Sequence, residues 1–209
     1  MIGELLPPGV AWAERFDDDV AEEELFPEEQ AAIARAVPKR RREFATGRWC
    51  ARQALRDLGL PPTPIVHGER GAPGWPPGVV GTITHCPGYR GAAVAHAGEF
   101  LTIGVDAEID EPLPPGVLDA ISLPAEHAQL DRPGPSWDRL LFSAKESIYK
   151  AWFPVARRWL DFTEARVTLR DDGSFAADVL VDGPLCSIEG RWMRAGGLLL
   201  SAVVIPAST

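Results

Sequence analysis

Ser136-Trp-Asp-Arg-Leu-Leu-Phe-Ser-Ala-Lys-Glu-Ser-Ile-Tyr-Lys-Ala-Trp-Phe-Pro154 decides how the chain is to be folded. Its apolar residues Trp137, Leu140, Leu141, Ala144, Ile148, Ala151 and Trp152 recur every three or four positions, the period of a helix that buries one face. Ser136 is placed to cap this helix and Pro154 to stop it. Glu146 and Lys150 lie off the apolar stripe, four apart and therefore neighbours on a face that can line a cleft. Pro38 to Leu58 has the same character. Pro38 suits a first turn, Phe44, Ala51, Leu55 and Leu58 form the apolar side, and Gly59 and Pro61 end the helix. Arg41, Arg48 and Arg52 are read as a basic stripe on its opposite side.

Strand-like alternation follows each helix. After the first come Val79–His85, Gly91–Ala97 and Leu101–Ala107, with a turn at Pro87-Gly88. After the second come Glu164–Arg170, Phe175–Val181, Cys186–Arg194 and Leu198–Ile205, with hairpin signals at Asp172-Gly173, Asp182-Gly183 and Gly196-Gly197. Residues 110 to 136, rich in Pro and Asp, read as an irregular excursion. The expected fold is α+β, with two similar helix-plus-antiparallel-sheet halves covering residues 1–108 and 109–209. The likeness is one of element order, without a residue-level repeat.

Three segments carry the chemistry. Residues two apart on a strand share a face, so Asp106 and Glu108 project together while Val105 and Ala107 turn to the core. With Glu146 they offer three carboxylates to a hard divalent cation, while Lys150 and His85 can bind the oxygens of a diphosphate. Glu146 is the candidate to orient or deprotonate an attacking hydroxyl. Each piece alone also fits a blander role: a solvated strand face, a surface ion pair, a scaffold histidine. Only the combination points to metal-assisted phosphoryl transfer. The Gly/Pro-rich connection from His67 to Gly78 is, by its length and constraint, a candidate ligand-binding element.

Composition narrows the class. At 209 residues, with 45% hydrophobic and 24% charged residues, the chain is long enough for one large domain or two small ones. No apolar run is long enough for a membrane span and no signal-peptide pattern opens the chain, so a cytoplasmic protein with no membrane partner is expected. Cys50, Cys86 and Cys186, odd in number and far apart, read as reduced thiols filling space. A net charge of -9 argues against a nucleic-acid binder. The charge is uneven, with acids crowding the first thirty residues and bases running from Lys39 to Arg56, a local surface for a compact polyanion or an acidic partner.

The chain resembles the Sfp-type 4'-phosphopantetheinyl transferases, in the branch of the enterobactin-synthetase component and its actinobacterial counterparts. Five ordered segments carry the resemblance: Lys39-Arg-Arg-Arg-Glu-Phe through Cys50-Ala-Arg52, Gly74-Trp-Pro-Pro-Gly through Thr84-His-Cys86, Ile103-Gly-Val-Asp-Ala-Glu108, Gly116 through Glu126, and Phe142-Ser-Ala-Lys-Glu through Lys150-Ala-Trp-Phe-Pro154. It implies transfer of the phosphopantetheine arm of coenzyme A to a serine of an apo acyl or peptidyl carrier domain of fatty-acid, polyketide or nonribosomal peptide synthases, releasing adenosine 3',5'-bisphosphate. Carried over residue by residue, Asp106, the Ala107 carbonyl, Glu108 and Glu146 would hold magnesium, or manganese in its place. Lys150 would contact the phosphates and assist the departing group, Thr84 and His85 would hold the diphosphate, and Arg40 and Arg48 would grip the nucleotide, chiefly its 3'-phosphate. His67, Gly68, Glu69 and Arg70 match a nucleotide-contacting loop whose first position is lysine in relatives. By the same resemblance Lys145 would join the coenzyme A contacts, and Leu160, with Trp159, would line a channel for the pantetheine. Arg139, Lys145, Arg157 and Arg158 would steer the acidic carrier, and apolar side chains of the 110 to 136 excursion would receive its helix. The family's fused form implies a pseudo-dimeric monomer.

Two rivals stay open on the residues alone. A magnesium nuclease also combines acids with a lysine, against which the overall acidity stands. A coenzyme A sensor without turnover would keep the fold, against which the intact Asp106, Glu108, Glu146 and Lys150 stand.

Overall fold

Tyr89-Arg-Gly-Ala-Ala-Val-Ala-His96 consists almost wholly of buried positions, the mark of a central strand covered on both faces. In the computed structural model, which describes residues 1–207, this strand (β3) lies between β1 (Ala11–Arg15) and β2 (Val79–Cys86) in an antiparallel sheet of order β1-β3-β2. After the short helix α1 (Pro27–Ile33), the 20-residue helix α2 (Pro38–Asp57) packs on this sheet. Cys50, Ala51, Ala54 and Leu55 close on Ile65, Ala92 and Val94, small residues that let helix and sheet approach closely. Leu58 and Gly59 end α2, with Gly59 at φ +76.

The second sheet has five antiparallel strands in the order β4-β8-β7-β6-β5: β4 (Phe100–Ile109), β5 (Ala165–Leu169), β6 (Ser174–Val179), β7 (Ser187–Ala195) and β8 (Leu198–Pro206). Gly196 and Gly197, both at positive φ, make the two-residue turn from β7 to β8. The 20-residue helix α4 (Trp137–Ala156) lies across β4 and β8, following a single turn of helix, α3 (Val117–Ile121), inside the expected irregular excursion. Leu140, Leu141, Ala144, Ile148 and Trp152 fill the core beneath it. The architecture is thus α+β, two long helices each on an antiparallel sheet.

Four local expectations need correction. The first meander does not run through β4, which leaves β3 and pairs instead with β8, Asp106 opposite Ser201 and Glu108 opposite Leu199. Along its other edge, the amides of Val105 and Ala107 donate to the hydroxyls of Thr82 (3.4 Å) and Thr84 (3.1 Å) on β2, so threonine side chains join the two sheets where a ladder would otherwise run. The Ser136 side chain does not cap α4, and its backbone N–H is held by Asp110 Oδ1 at 2.8 Å. Pro154 does not stop the helix. It sits in the last turn, where its missing N–H leaves out one backbone hydrogen bond, and the helix ends when Arg157 turns left-handed at φ 52, its amide bonded to the Phe153 carbonyl.

The fourth correction concerns the arginines of α2. Arg48 and Arg52 are 4% and 6% exposed, not a solvated stripe. Arg52 donates Nη1 to both oxygens of the fully buried Glu29, at 3.0 and 2.9 Å, and Nη2 to the Glu24 carbonyl at 3.2 Å, and Glu29 also accepts the N–H of Ile65. Those hydrogen bonds offset the desolvation that a buried pair otherwise suffers. Of the three cysteines, Cys50 and Cys86 are buried and Cys186 is exposed, all as free thiols. Among the described residues no helix is long and apolar enough to cross a membrane.

Candidate active site

Gly104 is where α4 comes down on β4. A Cβ there would overlap the Ser147 carbonyl oxygen and lie 2.6 Å from the Ala151 amide, so only glycine admits this approach. The Thr102 hydroxyl fastens the same contact by donating to the Ala151 carbonyl at 2.8 Å. One helical turn along, Lys150 Nζ reaches Asp106 Oδ1 at 2.7 Å and the Val105 carbonyl at 3.1 Å. Asp106 is 5% exposed; its Oδ1 also accepts from Thr84 at 3.3 Å, whereas its Oδ2 is buried with no hydrogen-bond partner. An orphaned carboxylate oxygen is costly, and it marks the place where a further positive group is wanted.

Glu108, on the same strand face, turns to Arg139 of α4 at 3.0 Å. Glu146 lies on the helix face between Arg139 and Lys150. Burial raises the carboxyls of both Glu108 and Glu146 above the usual range, and the nearby Asp106 charge pushes them further, against the opposing pull of Lys150 on each. The spacing argument therefore brings Asp106, Glu108, Glu146 and Lys150 to one junction. It does not assemble them as a ready-made metal cage: among the described residues no three His, Cys, Asp or Glu side chains converge at metal-binding distance. Each strand carboxylate is occupied by a cation of α4 instead.

Next to Thr84, His85 Nε2 accepts from Arg40 Nη1 at 2.8 Å. A guanidinium has only donors, so the imidazole proton is on Nδ1 and the ring is neutral. Desolvation and the Arg40 charge push its pKa down to about 4. Arg40, Phe44 and Arg48 fall on one face of α2, at successive four-residue steps. Arg48 lies over the Phe44 ring at 4.0 Å and donates Nε to the Ile65 carbonyl at 2.6 Å, while its buried Nη2 has no partner. Burial lowers its pKa to about 10, still fully charged at neutral pH. His67 packs its ring 5.0 Å from Phe44 and donates Nδ1–H to the Gly71 carbonyl at 3.1 Å, its pKa lowered by burial and by Arg48. Gly68 and Glu69 shape the exposed turn after it, closed by a hydrogen bond from the Gly68 amide to the Ala72 carbonyl at 2.7 Å.

A cavity of about 260 Å³ opens beside Glu146, walled by Tyr149, Leu160 and Phe162 and rimmed by Arg70 and Trp159. Lys145, adjacent to Glu146, has its ammonium satisfied within the protein, by Glu126 at 2.9 Å and by the carbonyls of Phe162 (2.7 Å) and Ala165 (2.9 Å). Glu126 in turn accepts the N–H groups of Leu123 and Val167. This buried pair pins the cavity wall to α4. Sequence reasoning did not find the Glu126 partner or the Arg139 pairing with Glu108. The spacing 139, 146, 150 along one helix stripe was a usable sign of the latter, whereas nothing local marks the former.

Comparison with known proteins finds matches along most of the chain. Residues 28–95 match the family model described as the 4'-phosphopantetheinyl transferase N-terminal domain, and residues 102–198 match that of the 4'-phosphopantetheinyl transferase superfamily. The chain is 51% identical over 221 residues to the 4'-phosphopantetheinyl transferase Svp of Streptomyces mobaraensis, covering 99% of this chain and 90% of that protein. It is 48% identical over 223 residues to the 4'-phosphopantetheinyl transferase PptT of Mycobacterium tuberculosis, covering 98% of each. Enterobactin synthase component D of Escherichia coli is more distant, 36% identical over 126 residues and matched over 58% of this chain and 59% of its own length.

Proposed function

The chain belongs to the 4'-phosphopantetheinyl transferase family, and from that premise we propose how its residues carry out the transfer and what accepts the group. Its reaction moves 4'-phosphopantetheine from coenzyme A to a carrier protein. The acceptor is a serine hydroxyl of apo acyl or peptidyl carrier domains in fatty-acid, polyketide or nonribosomal peptide synthesis, and the departing product is adenosine 3',5'-bisphosphate. The observation that carries this reading is the junction of β4 and α4, where Lys150 holds one oxygen of Asp106 and the other lies buried without a partner beside Glu108 and Glu146.

The donor set fits magnesium or manganese. All the groups are hard oxygens, and the orphaned Asp106 Oδ2 has a negative charge to offer. Asp106, the Ala107 carbonyl, Glu108 and Glu146 would hold the ion, which when bound neutralises the diphosphate oxygens at the bond to be broken. Thr84 holds Asp106 in place and, with His85, meets the diphosphate. His85 remains neutral and anchors Arg40 beside it. Lys150 brings a positive charge to the phosphate being transferred. Glu146, whose raised pKa brings it nearer to neutrality, takes the serine proton. Arg48, with a buried donor unspent, grips the 3'-phosphate together with Arg40. Residues 1–108 thus supply nucleotide contacts and residues 109–209 the catalytic helix. Arg139, Arg157 and Arg158 would steer an acidic carrier. We place the enzyme in the cytoplasm, as a monomer.

Purified protein with magnesium and coenzyme A is expected to add about 340 Da to an apo carrier, the mass of one phosphopantetheine on a serine. Intact-mass spectra without that addition across fatty-acid, polyketide and peptide carriers would overturn the proposal.

A further inference from the structure

Among the described residues, only two non-glycine residues adopt positive φ, Arg70 at 53° and Arg157 at 52°. Arg70 lines the cavity beside Glu146, and Arg157 leads into Trp159, which lines it too. Side chains rarely occupy this conformation, and such strain persists where surrounding contacts hold it. At Arg70 the contact is plain: its guanidinium lies over the Trp159 ring, 5.4 Å from the centroid, although the two residues come from opposite halves of the chain. Arg157, two residues before Trp159, turns the chain so that Trp159 leaves α4 and packs on Tyr149, ring centroids 4.7 Å apart. Tyr149 packs in turn on Phe153 at 5.8 Å. Arg70 and Trp159 therefore meet across the rim of a cavity whose inner wall is Leu160 and Phe162 and whose flank is Glu146.

Trp159 is 45% exposed and Arg70 is exposed as well. Their contact is a cation over an aromatic face at the surface, a weak interaction that can part without disturbing the core. The wall behind it cannot move so freely, since the Lys145–Glu126 pair ties Phe162 and Ala165 to α4. The cavity thus has a fixed back and a separable front. The pantetheine arm is bonded to the phosphate that is attacked, so it must lie within reach of Glu146, and this cavity is the apolar space there.

We propose that Arg70 and Trp159 form a latch across this cavity that determines which coenzyme A thioesters serve as donors. The closed latch encloses the free thiol end of the arm, and a bulky S-acyl group is accommodated only when the latch parts. The thioester bond is untouched in the reaction, so an admitted acyl group travels with the arm to the carrier serine. This inference rests on the transferase reading above and adds a determinant of donor choice to it.

The test compares kcat/KM for coenzyme A and for S-octanoyl-coenzyme A as donors to one apo carrier, in the wild type and in Arg70→Gly, Trp159→Ala and Trp159→Phe, with products identified by intact mass. Arg70→Gly removes the guanidinium and relieves the positive φ, so its melting temperature is expected to match or exceed that of the wild type. The preference for coenzyme A over the octanoyl donor is expected to fall by at least about tenfold in Arg70→Gly and Trp159→Ala. Trp159→Phe, which keeps an aromatic face, is expected to retain most of that preference. A preference within about twofold of wild type in both variants, or an equal loss for both donors, would overturn the latch, the latter showing that Arg70 serves the shared nucleotide part. A wild type that uses both donors equally would also overturn it. Failure of the wild type with both donors strikes instead at the transferase reading, and at the latch only through it.

Discussion

Thr84 shows how much the site depends on single side chains. Its hydroxyl accepts the Ala107 amide, donates to Asp106 and lies 3.4 Å from Lys150, so one small group joins the two sheets and orients the carboxylate. His85, the next residue, stands out in the sequence only in combination with the acids and Lys150, since its place near a strand end alone fits a scaffold histidine, and its charge is not readable there. Its ring is neutral because burial disfavours the charged form and Arg40 occupies Nε2; the charges of Arg40, Lys150 and Arg90 lower its pKa further, against the opposing pull of Glu43. We expect its resonances to titrate near pH 4 by NMR rather than near 6.5, and Arg40→Ala to raise that midpoint; an ordinary midpoint in the wild type would refute the contact. The sign for stability follows. The unfolded chain takes up a proton at His85 before the folded one does, so its contribution is complete above pH 6.5 and is lost as pH falls toward about 4. Arg48 carries a second expectation. Arg48→Ala is expected to weaken coenzyme A binding by about tenfold or more beyond its effect on 3'-dephospho-coenzyme A, the worth of a charge-assisted hydrogen bond. Calorimetric titration of the two ligands measures this, and equal losses would remove Arg48 from the 3'-phosphate.

At the scale of elements, β4 and α4 form the site because they can touch. The alternation around Asp106 and the four-residue step from Glu146 to Lys150 are local facts, and both survive in the structure. What joins them is the missing side chain at Gly104, which lets the helix backbone settle on the strand. Gly104→Ala is expected to destabilise the protein by about 1–3 kcal/mol through overpacking. Because the added methyl meets backbone, the helix must shift and Lys150 must withdraw from Asp106, so transfer is expected to fall together with stability. Urea midpoints and steady-state rates on the same preparation check both, and a Gly104→Ala variant with unchanged midpoint and rate would refute this account of the contact. The helix that carries the arginines teaches a different lesson. Arg48 and Arg52 looked like a solvated stripe because arginine usually is solvated. They are buried because Glu29 and the Ile65 carbonyl, supplied by segments on either side of α2, meet their charges.

In the whole molecule, two helix-and-sheet layers meet along β2 and β4, and the site lies on that seam. A chain that carries both layers needs no second copy to complete it, so sedimentation at micromolar concentration is expected to give one species near 22.7 kDa. A concentration-dependent dimer with matching loss of activity on dilution would contradict the monomer. The sequence by itself determined whatever is set by neighbours along the chain: the span of α2, the hairpins after β5, β6 and β7, and the pairs Asp106/Glu108 and Glu146/Lys150. Those follow from the fixed periods of strand and helix and from turn residues, which act within a few positions. Only the tertiary structure decided that β4 pairs with β8, that Lys145 is locked to Glu126, that Arg139 takes Glu108, and that Arg70 lies on Trp159. Each of these joins residues far apart in the chain, where the partner is chosen by packing and by the cost of leaving a buried charge alone, and no local pattern records that choice.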